Sequence, residues 1–179
     1  KHFEAVIRTV GAIIPSIETL DVVLDQRRGT LDLFVRQAGI DYSSRVVSEG
    51  TLRVIGLCAI AVNPWSGSLL AFEEPENGVH PRRLETIAQL LTAVSLEQGR
   101  QVIVATHSPL FCNAVIKEGW QRSNEDVALF NVRRQGSATT IERFEPRAPL
   151  FLEQEVGEAL DHAGDDLFGA LVLRGLIDE

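Results

Sequence analysis

The sequence predicts an α/β fold, a mostly parallel sheet flanked by helices, with hairpins attached. Three observations carry this. Leu69–Phe72 and Gln101–Ala105 are short apolar runs bracketed by turn residues, the pattern of buried parallel strands. Between them, Pro81–Leu96 has the periodicity of a helix, with Pro81 suited to its first position. Elsewhere, paired apolar runs turn through Gly-containing segments, as hairpins do.

From the amino terminus, Phe3, Val6, Ile7, Val10 and Ile14 form a helical stripe over His2–Ile14, stopped by Pro15. Leu20–Leu24 and Leu31–Val35 read as a hairpin turning through Gln26-Arg27-Arg28-Gly29. Ser48 suits an N-cap for a helix over Thr51–Val62, closed by Asn63-Pro64. After the strand–helix–strand stretch, Ser108–Ile116 reads as a helix. Val127–Val132 and Thr139–Phe144 read as a second hairpin around Gln135-Gly136. Pro146–Pro149 is the clearest break in the chain, dividing a main domain (1–145) from a helical segment (146–179). In that segment Leu150–His162 and Asp165–Ile177 are helix-like, separated by Gly164, and carry no chemistry of their own.

The chemistry gathers at strand tips. Glu73 and Glu74 follow the run Leu69–Phe72, so they emerge at the carboxyl edge of the sheet, where open α/β sheets bind ligands. One carboxylate there can hold Mg²⁺ while its neighbour orients or deprotonates an attacking water. The plain alternative is a solvated pair opening a turn. Ser48 and Gly50 stand before an apolar helix, whose free N–H groups and dipole would favour an anion. An ordinary capped core helix would carry the same residues. Thr106-His107-Ser108-Pro109 ends the second strand, where His107 can donate to a γ-phosphate or serve as a structural residue.

Taken together and in this order, the motifs resemble the carboxyl-terminal half of an ABC-type ATPase, of the kind found in SMC and RecF heads and in the bacterial AAA-21 group of predicted ATPases. The similarity runs from about Ile14 to Arg143 and includes the string Glu-Glu-Pro-Glu-Asn-Gly-Val-His-Pro. Ser48-Glu49-Gly50-Thr51 matches the signature motif, Leu69–Glu74 Walker B, Pro75–His80 the D-loop, and Thr106–Pro109 the switch-histidine loop. The resemblance implies a P-loop NTPase fold, ATP and Mg²⁺ as cofactors, and a homodimer closed through ATP. It implies Glu73 as metal ligand and Glu74 and His107 as catalytic residues. Ser48 and Gly50 would contact nucleotide on the opposite head, and Glu76, Asn77 and Gly78 would form the D-loop.

Two departures from the usual pattern stand out. Glu73 occupies a position where many ABC-type proteins carry Asp. Glu49 replaces the second glycine of the transporter-type signature, and its charge is expected to point away from the nucleotide or to pair with Arg53.

No Gly-x-x-x-x-Gly-Lys-[Ser/Thr] occurs; the only lysines are Lys1 and Lys117, and there is no Met. The resemblance therefore places Walker A in a missing amino-terminal half, without which this segment is expected neither to bind ATP nor to dimerise with it. Two other functions are compatible with the same residues. One is a non-hydrolysing, nucleotide-gated scaffold recruiting a nuclease or toxin, which has no need of Glu74. The other is a DNA-repair clamp in the RecF manner.

A hydrophobic content of 45% allows a real core, and the net charge of −8 gives nucleic acid no general basic face. Arg27-Arg28, Arg82-Arg83 and Arg133-Arg134 are the only paired positives and read as solvated turn or helix faces. No run approaches the ~20 apolar residues of a membrane span. Cys58 and Cys112 read as buried thiols of a cytoplasmic protein.

Overall fold

In a computed structural model residues 1–122 and 127–144 are described. The helices expected over 150–162 and 165–177 lie outside the described residues, as does all of segment 146–179. The chain divides into two compact units, Lys1–Thr106 and His107–Glu179.

The first unit opens with α1 (His2–Ile13), whose stripe buries Val10 and Ile13 while Phe3 stays 44% exposed. Ile14 leaves the helical region at φ −124°, ψ 83°, because the following Pro15 disfavours it. An antiparallel sheet follows, with β1 (Thr19–Asp25), β2 (Thr30–Gln37) and β3 (Ile40–Ser43) in that order. Asp25 Oδ1 accepts from the backbone N–H groups of Arg27 (2.9 Å) and Arg28 (3.2 Å), fixing the β1–β2 turn where expected.

The sequence reading does not anticipate β3. Its turn places both Ala38 (φ 50°) and Gly39 (φ 73°) in the left-handed region, as a two-residue hairpin loop requires. Directly opposite one another on β2 and β3, Arg36 and Asp41 form a two-pronged ion pair with both bonds at 2.7 Å. The Arg36 hydrogen bond holds the Asp41 carboxyl below its usual range.

Helix α2 (Glu49–Val62) begins two residues earlier than its apolar pattern suggests, at the Ser48 cap. It buries Gly50, Val54, Ile55, Leu57, Cys58 and Ala61 and packs on α1. Its last carbonyls are satisfied by Arg100, whose guanidinium donates to Ala61 O (3.3 Å) and Asn63 O (2.7 Å). Burial pushes the Cys58 thiol up to about 12, so it is an inert core group rather than a nucleophile.

The strand–helix–strand expectation is met by β4 (Leu69–Glu73), α3 (Leu84–Gln98) and β5 (Gln101–Ala105). β4 and β5 pair in parallel, with Leu69 opposite Gln101 and Glu73 opposite Ala105. Pro81–Arg83 is a separate 3-10 turn and not the first turn of α3, capped by His80 Nδ1, which accepts from Arg82 N–H at 3.2 Å. Gly99, at φ 64°, ends α3 in the left-handed conformation typical of a C-terminal glycine. Ala61, Leu70 and Val94 form a core cluster, with Phe72, Leu90 and Val102 packed against it. This cluster anchors the strand whose tip carries the site.

The second unit holds α4 (Pro109–Arg122), longer than the expected Ser108–Ile116, and the antiparallel hairpin β6 (Leu129–Gln135) and β7 (Ala138–Phe144). Ser108 Oγ accepts from Phe111 N–H at 3.2 Å, so it caps α4. Gly136 supplies the positive φ of the hairpin loop. No helix among the described residues is long and apolar enough to cross a membrane.

Candidate functional site

At the carboxyl tip of β4 the chain makes a sharp change of direction. Glu73 is the last strand residue, and alternation puts it on the same face as Leu69 and Ala71. Its side chain is exposed there. Glu74 leaves the strand at φ 44°, a left-handed conformation that costs a non-glycine residue roughly 1–2 kcal/mol. Hydrogen bonds on both sides hold this backbone. Glu74 N–H donates to Ala105 O at 2.8 Å, and Glu74 O accepts from Asn77 N–H at 3.0 Å.

The following residues fold back over the tip. Asn77 Nδ2 donates to Glu74 Oε2 at 3.2 Å. The Thr106 hydroxyl donates to Glu76 Oε1, and Val79 N–H donates to Glu76 O at 2.9 Å. The other Glu76 oxygen, Oε2, is buried with no hydrogen-bond partner among the described residues. Gly78 has φ 73° and lies against Gly50. Two sequence-distant candidates are thus brought together: the start of α2 and the Glu74–Gly78 turn.

Ser48 and its neighbours behave as a helix start should. Ser48 Oγ accepts from Thr51 N–H at 3.3 Å and donates to Thr51 Oγ1 at 2.9 Å. Glu49 is turned onto Arg53, which reaches Glu49 Oε1 through Nε (3.1 Å) and Nη2 (2.8 Å). The expected pairing that draws this charge aside is therefore present. His107 is exposed and follows β5 by two residues, opening the second unit.

Sequence reasoning named every residue of this turn but missed how they are tied. The Glu76–Thr106 bond spans thirty positions, and the approach of Gly50 to Gly78 leaves no local signature. The one available signal was the presence of a glycine in each of the two motifs.

Among the described residues no group of three or more His, Cys, Asp and Glu could hold a metal ion.

A βαβ unit with paired carboxylates at its carboxyl edge, beside an exposed, capped helix start, defines an ABC-ATPase-like α/β fold. Residues 3–113 match the family described as "AAA domain, putative AbiEii toxin, Type IV TA system". The chain belongs to this AAA-21 family and is an ATPase-type nucleotide-binding domain. No curated protein matches it.

Solved structures share the fold at low identity. One, from work on ATP-driven dimerization and DNA-stimulated activation of SMC ATPases, aligns at TM-score 0.56 and 15% identity, covering 87% of this chain and 92% of that one. An Smc head bound to the C-winged helix domain of ScpA aligns at 0.61 and 14%, covering 83% and 44%. The SMC head domain from Thermotoga maritima aligns at 0.51 and 18%, covering 80% and 47%. The chain thus spans under half the length of the last two.

Proposed function

We propose that this chain is the carboxyl-terminal lobe of an ATP-hydrolysing head that dimerises around nucleotide, with Walker A supplied by a segment outside these residues. The observation that carries the reading is the tip of β4. Glu73 lies on a sheet face that is bare and, Gln101 apart, otherwise apolar: Leu69 is 53% and Ile103 51% exposed, with Ala71 and Ala105 beside them. Parallel strands are normally covered on both faces, so this bare face supports a further segment packing over it beside Glu73.

In this reading Mg²⁺ would be held by Glu73 and would neutralise charge on the phosphates. Glu74 would orient or deprotonate the attacking water, and the strained backbone that presents it fits a functional position. His107 would donate to the γ-phosphate in the same head. Ser48 and Gly50 would meet the nucleotide of the other head, across a two-fold interface, alongside the D-loop residues Glu76, Asn77 and Gly78. The intact Glu74 favours hydrolysis over a purely gated scaffold, and the acidic charge gives a DNA clamp no support from this segment.

ATP turnover by the protein that carries this chain together with Walker A tests the reading; absence of Mg²⁺-dependent turnover would overturn it. Two variants locate the roles. Glu73→Ala is expected to weaken ATP binding in Mg²⁺ but not in its absence. An unchanged metal dependence would place the ligand elsewhere. His107→Ala is expected to slow turnover by about 10², the cost of removing one donor to developing charge. Because His107 is exposed, its loss should change stability by no more than about 0.5 kcal/mol. A large drop in melting temperature would instead mark it as structural.

A further inference from the structure

Gly78, at the end of the Glu74–Gly78 turn, meets Gly50 at the start of α2 backbone to backbone. A Cβ built on Gly50 would sit 1.9 Å from Gly78 O, 2.6 Å from its carbonyl carbon and 3.2 Å from its Cα. No side-chain rotation can relieve such a clash, so any movement of one segment must move the other. On the far side, the Thr106 hydroxyl ties Glu76 to the end of β5, and Glu74 N–H is bonded to Ala105 O. The turn is gripped at both ends. Between the grips, Asn77 Nδ2 donates to Glu74 Oε2 and so restrains that carboxylate.

We propose that Glu74–Gly78 is a relay within one chain, in which the Gly50–Gly78 contact couples the first turn of α2 to the orientation of the Glu74 carboxylate, with Asn77 as the positioning residue. This rests on the reading of Glu74 as the hydrolytic group and adds what controls it. α2 is rigidly seated, with Val54, Leu57 and Cys58 in the core. A force on its amino end therefore cannot be absorbed by the helix and passes to the Gly78 peptide. Because Glu76 is anchored to β5, the turn cannot slide as a body. It must rotate about Asn77, and that makes or breaks the amide–carboxylate bond. A phosphate arriving at the start of α2 would in this way set the carboxylate of the same chain.

The test uses Gly50→Ala, Asn77→Ala, Asn77→Asp and the double variant Gly50→Ala/Asn77→Ala in the ATP-hydrolysing protein. Each single variant is expected to lower kcat about tenfold, the scale of one hydrogen bond to a charged group. The double variant is expected to be no slower than the slower single one, since both disable one device. Multiplying effects would overturn the coupling.

Asn77→Asp keeps the shape but replaces the donor with a repelling carboxylate. It is expected to be as slow as Asn77→Ala, and recovery of turnover would make Asn77 merely structural. Hydrogen exchange at the Asn77 and Val79 amides provides a readout independent of turnover. It is expected to quicken in Gly50→Ala while α3 is unchanged, and unaltered exchange at both amides would overturn the relay. If the parent protein hydrolyses no ATP, the reading of Glu74 fails, while the exchange result still decides the mechanical link. If Gly50→Ala does not fold, the two Asn77 variants decide the positioning role.

Discussion

Glu74→Gln in the ATP-hydrolysing protein is expected to bind ATP at near-parental affinity and to turn it over about 10²–10⁴ times more slowly, the range a positioned general base contributes. The substitution is nearly isosteric. Its amide oxygen can still accept from Asn77 Nδ2, the bond Glu74 Oε2 makes at 3.2 Å, and the backbone at φ 44° is held by hydrogen bonds that do not involve the side chain. What changes is the negative charge and the ability to take a proton. Stability should therefore stay within about 0.5 kcal/mol of the parent, and dimers formed with ATP should persist because the nucleotide is not consumed. Single-turnover measurement with ATP and Mg²⁺ checks this. Near-normal turnover would remove Glu74 from the chemistry and leave its strained backbone without a functional account.

The sequence carried much of this site because its chemistry follows local rules. Leu69–Phe72 and Gln101–Ala105 are legible as parallel strands since turn residues bracket them, and the capping of α2 follows from Ser48 alone. The Glu49–Arg53 pair is an i, i+4 neighbourhood on one helix.

What could not be read depends on distance or on unusual backbone. β3 has little apolar content, and its pairing rests on Ala38 accepting a positive φ, which no propensity for alanine suggests. Pro81 is equally at home in a 3-10 turn and an α-helix, so the break before Leu84 was hidden. The apolar run of β4 reads as buried on both faces, yet Leu69 is 53% exposed. The meeting of Gly50 and Gly78 joins two motifs about thirty residues apart, which no local pattern announces.

That meeting sharpens the remaining prediction. Ser48→Arg is expected to abolish ATP-driven dimerisation while leaving ATP binding by the single head intact, because in the proposed arrangement Ser48 faces nucleotide held by the other head. Ser48 is exposed at the start of α2 and its hydroxyl is engaged with Thr51. Substitution therefore also loses a cap, at a cost of about 1 kcal/mol. Ser48→Ala separates the two effects. It loses the same cap without adding a long cation, so it should dimerise, weakly or fully, where Ser48→Arg cannot. The bulk of arginine would stand where the helix start must approach a γ-phosphate, and its charge could not compensate for the lost approach. Mixing Ser48→Arg heads with Glu74→Gln heads gives the decisive geometry. A two-fold interface pairs each signature with the other subunit's carboxylates, so the mixed dimer regains one intact site from the unaltered Ser48 of one head and the unaltered Glu74 of the other. Size-exclusion chromatography with ATP and Mg²⁺, followed by turnover of the mixture, reads both outcomes. Dimerisation of Ser48→Arg as strong as the parent's would reduce Ser48 to a helix cap, and an inactive mixture would place signature and carboxylates in the same head.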